Sequence, residues 1–301
     1  MIALGLSRFY AIRLFKDNQN RESEGIESRP TFLSIFRNSL PFVLTSGFLV
    51  LLYRIDKFVL LWANSAEAVA IFNIGWLCYF SGNSVTQAIR SITLPDFGSV
   101  RGKPSLLKEK IDEAFQVSKW FLLPGLIIGT LCGTLALPAL FPSTYFSNDL
   151  GIGGTPSSVF IVLLAAWGVG LISAPFFGAV QSSINPWNYT ISGASSVTIN
   201  LFLSLIFIPK FGVIGASIST VGASIFTLAI MLLLIRKEVN LSSLWKRLLP
   251  LLLFIFSYVF AANYCLWGSG SGIHRYSFLI LLPFLAYFSR WNPKKIFIMI
   301  N

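Results

Sequence analysis

YRIDKFVLL, Tyr53–Leu61, lies in the upper half of an apolar run, Leu40–Trp62, that is long enough to cross a bilayer. Arg54, Asp56 and Lys57 are therefore placed where ionisable groups are costly, and an intramembrane charge is a functional-site hypothesis by default. After a short break, NSAEA, a second apolar run from Ala68 to Leu94 returns across the membrane. The rest of the chain reads as a wall built around this hairpin.

Composition settles the class. A chain of 301 residues with 54% hydrophobic and only 12% charged residues carries more apolar surface than one soluble core can hide. It reads as an all-α polytopic membrane protein with about eight transmembrane helices. The spans are expected at Phe36–Trp62, Ala68–Leu94, Phe115–Leu140, Ser158–Val180, Asn188–Ile208, Val213–Ile235, Leu248–Trp267 and Arg275–Phe288. The first three are rich in polar residues, and the last two are uniformly apolar and are expected at the periphery, facing lipid. Met1–Phe15 is too short to cross and lacks a small-residue cleavage site, and Lys16–Pro30 reads as a solvated linker.

The formal charge of +11 does not indicate a nucleic-acid partner, because the Lys and Arg residues fall between the hydrophobic runs rather than in one patch. With the amino end inside, most of the 23 basic residues collect on one side of the membrane, which predicts both termini cytoplasmic in a multi-pass protein of the cell (inner) membrane. These basic loops face the headgroups of membrane lipids. Lys103–Glu113 reads as a short interfacial helix leading into the third span. Cys78, Cys132 and Cys265 have no CxxC spacing, and the lone His274 has no ligand companions, so neither a disulfide framework nor a metal site is expected. No cofactor motif is present.

On the second span, Trp76, Tyr79, Asn83, Gln87 and Arg90 recur at helical spacing along one stripe. Lipid tails cannot hydrogen-bond Asn, Gln and Arg, so the stripe faces protein or water. It is either a polar seam gluing helices together or one wall of a hydrated cavity in which Arg90 attracts an anion. On the first span, Arg54 and Lys57 share a face at i, i+3, whereas Asp56 points elsewhere, which argues against a local Arg54–Asp56 ion pair. Arg54 and Lys57 either snorkel to the outer headgroups or serve function, and Asp56 is either a coupling carboxylate or the counter-ion of a base. Glu67 reads as a cap-region charge, and Lys119 as a snorkelling residue or a phosphate-attracting one. Gly215, Ser219, Gly222 and Ala223 form a small-residue ridge, a packing motif that needs no substrate role.

SLPFVLTSGFLVLLYRIDKFVLLWANSAEAVAIFNIGW together with TINLFLSLIFIPKFGVIGASISTVGASIF resembles the polysaccharide-biosynthesis and oligosaccharide-flippase family of the multidrug/oligosaccharidyl-lipid/polysaccharide (MOP) exporter superfamily. In that family a span ending in an Arg/Asp pair precedes "gaeavgiy", and a later pair of spans is joined by an "Ip-x-fGiiGAaia" turn. The family's architecture is two six-helix bundles facing a central cavity, often followed by two more helices. The resemblance covers the second bundle and the extra helices. It implies residues 1–30 as a cytoplasmic segment and linker, 31–236 as one six-helix bundle, and 237–301 as two peripheral helices and a basic tail. A first bundle would come from a partner chain or from a second copy in a homodimer, unless the chain is a truncated product; truncation or a split partner is favoured over the homodimer.

The resemblance further implies flipping of an isoprenoid-diphosphate-linked oligosaccharide across the membrane for cell-surface polysaccharide such as O-antigen. On that reading Arg54 and Arg90 hold the anionic head, Lys57 and Lys119 assist, Trp76, Tyr79, Asn83 and Gln87 line the path, and Asp56 couples an ion. The alternatives are a small-molecule or drug exporter of the same superfamily and a membrane-embedded glycan polymerase or glycosyltransferase. The short outward loops lack paired carboxylates, so an enzyme is not expected.

Overall fold

A computed structural model describes residues 32–146, 153–183, 185–236 and 241–267. The expected eighth span and His274 lie outside the described residues. Contacts divide the chain into two units at Leu40/Pro41; the described part of the first is the helical stretch 32–40, and all that follows concerns the second.

The described residues fold as helices: α1 (Phe32–Ala63), α2 (Ala66–Ser99), α3 (Pro104–Leu140), α4 (Pro156–Gln181), α5 (Trp187–Ile235) and α6 (Leu241–Trp267). Four of them, α3, α4, α5 and a stretch of α6, are long and apolar enough to cross a membrane by length and composition. The charged and amide side chains of α1 and α2 lower the hydropathy of those two. Together these helices make an integral membrane protein.

Local chemistry sets the ends. Ser65 caps α2, its hydroxyl accepting from Ala68 N–H, and Glu67 in the first turn faces the positive end of the helix dipole. Thr155 and Ser158 form a reciprocal capping box at the start of α4, with Pro156 at the first helical position. At 49 residues α5 would be about 74 Å long, more than twice the hydrocarbon thickness. It is folded at Gly212, where φ is 57° and ψ is −132°, a conformation that favours glycine. Ser196 hydrogen-bonds Thr227, Gly222 abuts Leu203, and Gly215 abuts Phe207. Each pair is nearly equidistant from Gly212, so the limbs 187–211 and 213–235 form an antiparallel hairpin. This is the fifth and sixth spans expected from the sequence, including the break between them.

The central post is α4, apolar on all sides and buried along nearly its whole length. Against it α3 presents Gly125, Gly129 and Gly133, one per turn, and a Cβ at any of them would strike Trp167, Leu164 or Phe160 respectively. The glycines form a groove that receives a ridge of large side chains, in antiparallel register. Trp167 is further fixed by its indole N–H, which donates to the Gly82 carbonyl of α2 at 2.9 Å. At Cys132–Ala136 α3 widens into a π turn, and the Ser157 hydroxyl donates to the Gly133 carbonyl there at 2.7 Å.

The seventh expected span is more deeply integrated than its uniform apolarity suggested. One face of α6, including Leu248, Ile255 and Tyr258, is buried, and the Tyr258 and Thr130 hydroxyls lie 2.9 Å apart. The opposite face, with Leu249, Leu253 and Phe260, is exposed and suits lipid.

Candidate functional site

Between Pro41 and Trp62, α1 is held by polar contacts as much as by packing. Its carboxyl-terminal turns bury Val59 and Leu60 against Ile71, Phe72, Leu163 and Ile208. Toward the other end the Thr190 hydroxyl of α5 donates to the Pro41 carbonyl at 2.8 Å, a carbonyl that Thr45 also uses at 2.7 Å. A mid-helix threonine pair thus satisfies backbone at the turn where α1 and α5 meet. Between these anchors the helices separate around a cavity of about 100 Å3. By the ~10–15 Å3 that one water needs, it holds several.

Asp56 lies at one end of this cavity and is only 4% exposed. One carboxylate oxygen accepts from Ser204 Oγ at 2.6 Å and from Asn200 Nδ2 at 3.1 Å; the other accepts from Thr220 Oγ1 at 2.9 Å. The three donors come from both limbs of α5, so the hairpin at Gly212 assembles the site. Among the described residues no Lys or Arg lies within ion-pair distance of Asp56. The carboxylate's hydrogen bonds all come from neutral groups. Asn200 is fully buried, yet its Oδ1 accepts no hydrogen bond among the described residues.

Arg90 supplies the cavity's other charge. Its guanidinium carbon stands 3.9 Å from the centre of the Phe177 ring, and its buried Nε has no hydrogen-bond partner among the described residues. Ring stacking favours a weakly hydrated guanidinium but satisfies none of its N–H donors. Among the described residues Arg90 has no acidic partner. The wall between the two charges carries Tyr53, Trp76, Tyr79 and Asn83, with Ser196, Ser224 and Thr227 opposite. Asn83 Nδ2 donates to the Tyr53 hydroxyl at 3.3 Å, which ties α2 to α1.

The structure brings only part of the expected constellation together. Trp76, Tyr79, Asn83, Arg90 and Asp56 line the cavity; Gln87 is exposed and does not. Arg54 is exposed and also outside it, two residues before Asp56 and on another face of α1. Lys57 rests its ammonium over the Trp76 ring, 3.9 Å from the centre, and that ring stacks on Phe80 with centroids 5.0 Å apart. Lys119 lies 5.7 Å from the centre of the Phe115 ring, on α3, and does not reach the cavity.

Asn200, Ser204 and Thr220 are site residues that the sequence pattern did not single out. Asn200 and Ser204 stand at i, i+4 in the otherwise apolar stretch Ile199–Pro209, the same signal that marked the α2 stripe. Thr220 hides beside the Gly215–Ser219–Gly222–Ala223 ridge. That ridge packs the two limbs as expected, and by drawing them together it also delivers Thr220 to Asp56.

No family model matches the sequence, and no curated protein matches it. Among solved structures the chain is similar to the lipid II flippase MurJ in an inward closed conformation, with a TM-score of 0.53 at 16% identity, over 88% of this chain and 56% of that one. A MOP superfamily transporter from Pyrococcus furiosus also matches, with a TM-score of 0.42 at 18% identity, over 77% of this chain and 54% of that one. The first of these likenesses shows the fold. The chain spans about half the length of the solved transporters it matches.

Proposed function

We propose that this chain forms one bundle of a MOP-type flippase for an isoprenoid-diphosphate-linked oligosaccharide. The observation that carries the reading is the cavity itself: a half-buried arginine with a buried Nε and no acidic partner, and a buried carboxylate with no Lys or Arg in ion-pair contact, both among the described residues, inside a bundle whose fold is similar to that of a flippase. Uncompensated intramembrane charges of this kind are expensive and are retained for ligands. Arg90 takes the diphosphate through charge-assisted hydrogen bonds, its Nε having no partner among the described residues. Trp76, Tyr79 and Asn83 border the first sugars, and the lipid tail stays in the bilayer. Arg54, Lys57, Gln87 and Lys119 act outside the cavity, where the face of a second bundle or the headgroups meet them.

Asp56 is the coupling site. Its two oxygens and the Ser204 and Thr220 hydroxyls make an oxygen cluster suited to a small hard cation. Alternating access requires a second bundle to rock against this one, and a partner chain or a second copy supplies it. The membrane is the cell membrane, with both ends of the chain on the cytoplasmic side.

The test is binding of an isoprenoid-diphosphate oligosaccharide to the purified chain in nanodiscs. Arg90→Ala weakens binding about tenfold, the loss of one charge-assisted interaction, while thermal unfolding stays cooperative. Unchanged affinity in a folded Arg90→Ala protein refutes the head-group assignment.

A further inference from the structure

Toward the α1–α2 turn, at the rim of the cavity, three aromatic side chains and a cation stand together. Trp76 and Phe80, one turn apart on α2, stack nearly parallel, with centroids 5.0 Å apart and 15° between their planes. Tyr53 of α1 meets both edge-on, at 5.9 and 5.8 Å. The Lys57 ammonium stands 3.9 Å from the centre of the Trp76 ring, and Phe80 is 44% exposed. A ring face attracts an ammonium but accepts no ordinary hydrogen bond from its N–H donors. Among the described residues no carboxylate pairs with Lys57, and its neighbour Asp56 is hydrogen-bonded to α5. The exposed rings, with their negative faces, suit polarised C–H groups such as those on one side of a pyranose.

We infer that Trp76, Phe80 and Lys57 form a subsite for an acidic sugar, a pyranose whose C–H face lies on the rings and whose carboxylate takes the Lys57 ammonium. The inference rests on the flippase reading and narrows its substrate: the oligosaccharide is anionic, and its charge falls at a set distance from the diphosphate. Trp76 precedes Arg90 by about four turns of α2, about 21 Å along the axis. With the diphosphate at Arg90, the sugar at Trp76 is therefore not the one attached to the diphosphate but one farther along the glycan. Between them Tyr79 and Asn83 line the wall with hydroxyl and amide groups that suit neutral sugar hydroxyls. The contact over Trp76 makes the choice: a carboxylate draws the ammonium off the ring, because a charge-assisted hydrogen bond is stronger than a cation–π contact at a partly exposed site, and the freed face receives the sugar. A neutral sugar has nothing to draw Lys57 away, and the ring stays covered.

The experiment uses the full chain in nanodiscs of zwitterionic lipid, so that no anionic headgroup competes for Lys57. The probes are a linear tetragalacturonate and the neutral methyl ester of the same tetramer, which share every ring and differ in charge. Binding of inorganic pyrophosphate is measured alongside, as a separate reading of Arg90. The acid tetramer binds about tenfold tighter than its ester, the effect of one charge-assisted contact. Lys57→Gln brings the two affinities together, Lys57→Arg keeps them apart, and Phe80→Ala weakens both forms. Equal affinity of the two tetramers for the wild-type protein, no binding of either, or a preference for the acid that survives Lys57→Gln overturns the subsite. The wild-type comparison decides the question even if a variant fails to fold. Pyrophosphate binding that needs Arg90 then leaves the flippase reading standing without the subsite, and its absence overturns both.

Discussion

Two helix seams meet at α4 and α5 and are built on opposite principles. The α3–α4 seam is dry and one-to-one: Gly125, Gly129 and Gly133 receive Trp167, Leu164 and Phe160 so closely that no Cβ fits. The α1–α5 seam is polar: it turns on Thr45, Thr190, Asp56, Asn200, Ser204 and Thr220, and it opens into a cavity with unsatisfied atoms. In lipid, where apolar burial gives helices little drive to associate, close packing of small residues makes a permanent contact. Polar contacts that can be exchanged for water or a ligand make a separable one. The difference assigns the rigid body to α3 and α4 and the working surface to α1, α2 and α5.

Overpacking the dry seam gives the largest effect. Gly125→Leu drives a side chain into the Trp167 ring, and loss of the monodisperse folded protein on size-exclusion chromatography is expected. A folded Gly125→Leu protein with unchanged melting temperature contradicts the rigid-body assignment. At the polar seam, Asp56→Ala strands the buried donors of Asn200 and Ser204, while Thr220 keeps the Ala216 carbonyl, and costs about 1–3 kcal/mol for each donor left unsatisfied, read as a lowered melting temperature. Asp56→Asn, which keeps the shape and one acceptor, restores most of that stability but not cation binding.

Smaller effects mark contacts away from both seams. Tyr258→Phe removes the hydroxyl shared with Thr130 and lowers stability by about 1 kcal/mol, with ligand affinity unchanged. Smallest is Arg247→Ala, which breaks the 2.8 Å ion pair to Asp112; both partners are substantially exposed, and the change in melting temperature is expected to be barely measurable.

The two seams also differed in how legible they were. The α2 stripe declared four of its cavity-lining residues, because polar groups at helical spacing in an apolar run are tolerated only where protein or water meets them. The break at Gly212 was visible as a Pro-Lys-Phe-Gly interruption between two apolar runs. Arg54 lies outside the cavity, because a charge at mid-run signals that something must face it without saying on which side of the helix. The glycine groove of α3 was hidden: spacing of four among apolar residues does not reveal which large side chains fill it. Asn200, Ser204 and Thr220 are ordinary taken singly, and only the fold of α5 gathers them on Asp56.

The most direct test compares water access at the two seams. In a background with Cys78, Cys132 and Cys265 replaced, single cysteines are placed at Ser196, in the cavity wall, and at Ala179, buried on α4. A membrane-impermeant, charged thiol reagent is expected to label Ser196→Cys, with pyrophosphate slowing the reaction, and to leave Ala179→Cys unlabelled. Equal labelling at both positions, or labelling of Ser196→Cys that pyrophosphate does not slow, contradicts a hydrated, anion-binding cavity set against a rigid apolar body.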